Sequence, residues 1–94
     1  NVQIVDAFST DGLLKKFDLV VLEDDKHFFP PYYAMPLIRE DVAEKHRQLI
    51  PLIESLGDKL TEETMAELNY RVDELQQDPR LVAVEFLREQ KMID

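Results

Sequence analysis

Four aromatic rings stand within six residues at Phe28, Phe29, Tyr32 and Tyr33, interrupted by the double proline Pro30-Pro31. Ring faces attract a cation through the quadrupole of the π-system. A quaternary ammonium suits them, because it has no N–H to satisfy and is weakly hydrated. The same rings serve equally as core or edge packing, and spacing alone does not decide between the two.

The other reactive residue types form no site by their spacing. Asp6, Asp11, Glu23, Asp24 and Asp25 are candidate metal ligands or acid–base groups. The triplet 23–25 lacks the alternating ligands and central glycine of a calcium loop, and reads as a solvated turn. His27 and His46 have no His or Glu partner three or four residues along a shared helix face, which argues against zinc and for surface positions. Ser9 and Thr10 lie outside any G-x-S-x-G elbow, and helix N-capping accounts for them. With Gly12 and Gly57 the only glycines, there is no glycine-rich phosphate loop. The lack of cysteine removes disulfides, thiolate metal ligands and cysteine nucleophiles. These residues give no support for an enzyme, a metal site or a cofactor.

The elements that would position the rings can be read along the chain. Val2, Ile4 and Val5 form a β-branched apolar run that reads as a buried strand. Domain boundaries fall in exposed linkers, so a chain opening in mid-strand is expected to be cut from something longer. Ser9 to Gly12 supply turn and N-cap chemistry before a short helix carrying Leu13, Leu14 and Phe17. A second strand fits Leu19 to Leu22. Phe28 to Ile38 hold three of the five prolines, so this segment enters as a stiff extended strand or edge. Helices are predicted from Glu40 to His46 and from Gln48 to Leu56, the latter ended by Gly57 in a left-handed C-cap. Thr61 caps a longer helix with Met65, Leu68, Val72 and Leu75 on one stripe. Asp78-Pro79 opens the last, whose Leu81, Val82, Val84, Phe86 and Leu87 call for docking in a groove.

The expected fold class is therefore α/β: a single domain over residues 1–94, with a small sheet of about three strands followed by several helices. Those helices offer more apolar surface than so narrow a sheet covers, a second sign of an incomplete fold. A hydrophobic fraction of 45% beside 33% charged residues suits a soluble globular protein. The net charge of −9 repels phosphate backbones and anionic lipid surfaces, which excludes nucleic acid as a partner class. No apolar stretch approaches the roughly 20 residues of a spanning helix.

Four words of sequence are more specific. They are Asp6-Ala7-Phe8-Ser9-Thr10-Asp11-Gly12, Asp18-Leu19-Val20-Val21-Leu22-Glu23-Asp24-Asp25, Phe28-Phe29-Pro30-Pro31-Tyr32-Tyr33-Ala34-Met35-Pro36 and Glu67-Leu68-Asn69-Tyr70-Arg71-Val72-Asp73. In this order, and over nearly the whole chain, they resemble the C-terminal part of the glycine betaine/carnitine/choline-binding proteins of osmoprotectant ABC transporters. The resemblance implies part of lobe one of a two-lobed, type II periplasmic-binding-protein fold. Residues 1–11 would be the returning hinge strand and residues 12–94 the C-terminal part of that lobe.

It also implies a function: capture of glycine betaine, choline or carnitine between lobes for an ABC permease. The setting would be the periplasm or the extracytoplasmic face of the membrane, with lipid anchoring or fusion to the permease. In such proteins the trimethylammonium head sits in an aromatic cage built from both lobes. Phe8 and Tyr32 map onto that cage, and Thr10 onto a polar ligand contact that competes with its capping role. The family often has tyrosine where Phe8 stands, so the ring face is kept and the hydroxyl lost. Tyr33 should face away from Tyr32 and pack. The isolated piece has orphaned apolar surface that a homodimer would cover. A rival reading is a self-standing acidic interaction module that uses Phe28 to Tyr33 as a protein-binding edge.

Overall fold

The computed structural model of the chain describes residues 2–94; Asn1, at the head of the expected hinge strand, lies outside the described residues. Five helices are formed among them: α1 Leu13–Lys16, α2 Glu40–Lys45, α3 Leu49–Gly57, α4 Glu62–Asp73 and α5 Pro79–Glu89. The chain divides into two compact units, Asn1–Val21 with Leu60–Asp94, and Leu22–Lys59.

The first unit is built on α4, which packs against α1 on one side and α5 on another. Thr61 starts α4 as expected, its hydroxyl accepting from Thr64 N–H at 3.1 Å, with Glu62 and Glu63 at the positive end of the helix dipole. Met65, Leu68 and Val72 are half-buried along the expected stripe, whereas Leu75 lies beyond the helix and is exposed. Asp78 caps α5 by accepting from Arg80 N–H at 2.9 Å and Leu81 N–H at 3.1 Å, and Pro79 fills the first turn. Val82 and Phe86, one turn apart, are the buried hydrophobic residues among those described. The α5 helix closes in a Schellman arrangement, with Lys91 N–H donating to Arg88 O and Met92 N–H to Leu87 O, both at 2.9 Å. Lys91 occupies the left-handed position there (φ 56°), where glycine is usual.

The second unit carries α2 and α3. Gly57 is the last residue of α3 and Asp58 the cap, in right-handed conformation. The expected left-handed glycine cap is therefore not formed.

The expected sheet of about three strands is also absent: no strand occurs among the described residues, and the α/β reading gives way to a helical chain. The physical reason is visible in burial. Val2, Ile4, Val20, Leu22 and the Phe28–Leu37 segment are exposed, with Val20 at 85%. β-Branched residues favour strands by fitting a pleated, half-buried surface with paired neighbours, and these have neither surface nor ladder. Prolines at 30, 31 and 36 further deprive the third segment of donors.

Candidate functional site

Two of the three candidate ligand residues lie on one turn. Asp11 N–H donates to Phe8 O at 3.0 Å, closing the turn, and the Asp11 carboxylate accepts from Leu13 N–H at 2.9 Å, opening α1. Asp11 thus does the capping that the sequence assigned to Ser9 and Thr10. Phe8 is exposed and Thr10 half-buried. The Thr10 hydroxyl makes no hydrogen bond among the described residues, so its capping role is not realised.

What holds this turn comes from α4. Asn69 Nδ2 donates to Thr10 O at 2.7 Å across a separation of 59 residues. Gly12 is buried against the same helix: a Cβ there would stand 2.5 Å from Tyr70 N and 2.7 Å from Tyr70 Cα. Gly12 has ordinary right-handed angles (φ −62°), so close approach, and not a special dihedral, requires glycine. Ion pairs of Lys15 with Glu67 and of Lys16 with Glu74, the latter at 2.6 Å, tie α1 to α4. The hydrogen bond to Glu67 raises the Lys15 ammonium above its usual range. The words Asp6–Gly12 and Glu67–Asp73, far apart in sequence, are in contact.

The third candidate, Tyr32, belongs to the second unit and is 86% exposed. Tyr33 is 82% exposed, so the expected packing role for it is not seen. The rings before them are organised by Asp24. Its two carboxylate oxygens accept from Phe28 N–H and Phe29 N–H, each at 2.9 Å, and these bonds hold the carboxyl below its ordinary pKa. Phe28 and Phe29 meet edge to face, centroids 5.0 Å apart. Neither Phe8 nor Tyr32 has an internal cation over its face among the described residues; the lysines that lie over rings are Lys15 on Tyr70 and Lys16 on Phe17. No group of three His, Cys, Asp or Glu placed to hold a metal occurs among the described residues.

Sequence reasoning missed the parts played by Asn69, Gly12 and Asp24. Asn69 sits one turn from Met65 in mid-helix, where a short amide is a poor helix former. That mismatch was the available signal.

The family model for the substrate-binding domain of ABC-type glycine betaine transport systems matches residues 1–89. The chain belongs to this family. A glycine-betaine-binding protein of Pseudomonas aeruginosa is 45% identical over 86 residues, which is 92% of this chain and 28% of that protein. The ergothioneine transport permease/ergothioneine binding protein of Helicobacter pylori is 42% identical over 92% of this chain and 16% of its own length. A carnitine transport binding protein of Listeria monocytogenes is 42% identical over 87% of this chain and 27% of its own. The chain therefore spans less than a third of each of these relatives. Membership in this substrate-binding family implies a periplasmic binding fold.

Proposed function

We propose that the chain is the C-terminal part of an extracytoplasmic solute-binding protein that captures a quaternary ammonium osmoprotectant and delivers it to the permease of an ABC importer. The observation that carries this reading is the chemistry common to the relatives' named ligands. Glycine betaine, carnitine and ergothioneine all bear a trimethylammonium group and a carboxylate. Choline shares the cation.

The residues in hand suit that cation. Phe8 and Tyr32 present exposed ring faces with no cation upon them among the described residues, and the Thr10 hydroxyl, two residues from Phe8, has no hydrogen-bond partner among them. A trimethylammonium group sheds its weak hydration at little cost and is held by ring quadrupoles once water is excluded. Exposure of Phe28 to Tyr33 would serve an interaction module equally; family membership favours the cage. No bond is made or broken in this function, so no enzyme activity is proposed. Residues 1–11 are assigned to the hinge segment returning from the second lobe, and residues 12–94 to the C-terminal part of the first. The place of action is the periplasm or the outer face of the membrane, by lipid anchor or fusion to a permease; no helix among the described residues is long and apolar enough to cross a membrane. The exposed apolar segments around Val20 and Leu37 favour self-association of the isolated chain.

The test is to compare choline with 3,3-dimethylbutan-1-ol, its uncharged isostere, as ligands of the intact protein. A cation-selective cage binds choline at least about tenfold more tightly. Equal affinity would show that shape and apolar burial, not charge on the rings, govern the site.

A further inference from the structure

We infer that Asn69, acting with Gly12, is a positioning residue that sets the Phe8 ring for ligand capture. This inference rests on the proposed cation site and adds to it the part that fixes its geometry. Phe8 is itself exposed, so its own contacts do little to fix it. Its backbone is fixed at one remove. The turn is closed by Asp11 N–H on Phe8 O, its middle carbonyl at Thr10 is gripped by Asn69 Nδ2 at 2.7 Å, and its far end at Gly12 rests on the α4 backbone.

Three restraints on five consecutive residues leave the turn little freedom. The only side-chain hydrogen bond from α4 to the turn among the described residues is that of Asn69. Without it, Thr10 O loses its partner in a half-buried place, and the turn must shift toward water to recover one. A cation–π contact weakens as the cation leaves the ring axis, so a small displacement of Phe8 reaches the ligand. Asn69 holds Thr10 by its carbonyl, and the hydroxyl is left without a hydrogen bond among the described residues. Lys15 ties α1 to the same helix without touching the turn, through Glu67 and the Tyr70 ring. It provides the matched control.

The experiment is a double-mutant cycle on ligand affinity in the intact protein, titrated with choline and glycine betaine. Asn69→Leu should weaken binding about tenfold in the native background and less than about twofold in a Phe8→Ala background. Lys15→Met should lower the melting temperature and leave affinity unchanged. Equal losses from Asn69→Leu in both backgrounds would mean a general structural role and overturn the inference, as would no loss in either. Absence of binding by the unsubstituted protein would overturn the proposed function and this inference together, and is seen before any substitution is made.

A milder variant guards against misfolding. In Asn69→Gln the donor is displaced by one methylene, and amide exchange at Asp11, read without ligand, should quicken about tenfold while Val82 in α5 stays protected. Unchanged exchange at Asp11 would overturn the inference.

Discussion

Asp24 shows how far a residue's part can lie from its apparent type. In the sequence it is one of three consecutive acids, and charge alone reads as solvation. In the structure its carboxylate takes the amides of both Phe28 and Phe29. Those bonds favour the ionised form, so the pKa is lowered from 3.8. The order that Asp24 provides is complete above the ordinary carboxylate pKa and is lost as pH falls through the lowered value. The amide shifts of Phe28 and Phe29 should therefore titrate together below the ordinary aspartate range, and not at all in Asp24→Asn; a midpoint at or above 3.8 would contradict the account. Tyr32→Ala should weaken ligand binding by the intact protein at least about tenfold, or about 1.4 kcal/mol. Phe8, Tyr32 and Thr10 stood as candidates through sequence words. Gly12 and Asn69 lie within those words too, but the contact between the words, across 59 residues from Thr10 to Asn69, was not legible; only the short amide in mid-helix at Asn69 gave a local sign.

At the scale of elements, the helices were readable and the strands were not. Thr61, Asp78 and Pro79 carry local chemistry that works wherever the helix lies, and α4 and α5 begin where these residues stand. Strand-forming runs at residues 2–5 and 19–22 depend on a partner to supply hydrogen bonds, and a propensity without a partner gives exposed chain with no ladder. Gly57 misled for a related reason: a glycine permits a left-handed cap without enforcing one. Lys91 and Gln76 instead take left-handed angles near the ends of α5 and α4. Lys91→Gly should stabilise the first unit by about 1 kcal/mol, measured by denaturant midpoint, because it removes a Cβ clash while keeping the Schellman bonds. Gly12→Ala should do the reverse, since the new methyl meets the backbone of α4 and cannot be relieved by a rotamer change. A midpoint unchanged in Gly12→Ala would show that α1 does not need its close seat on α4.

The whole molecule has a small core and a large exposed apolar surface. Val82 and Phe86 are buried, while valines, leucines and aromatics from residues 2–8 and 19–37 lie open to water. The chain belongs to the substrate-binding family and spans less than a third of each of the relatives named above. Chain 1–94 alone should associate with rising concentration, read by sedimentation velocity, and should bind ligand far more weakly than the intact protein. If the proposed cage is completed by residues outside this chain, the cation stays hydrated on chain 1–94, where a single ring contributes only about 0.5–1 kcal/mol. The most direct test is calorimetric titration of the intact protein and of chain 1–94 with glycine betaine, choline, carnitine and ergothioneine. Micromolar or tighter binding of at least one of them by the intact protein, with no resolvable heat from the isolated chain, is the expected result. No binding of any of the four by the intact protein, or equal affinity in the isolated chain, would contradict it.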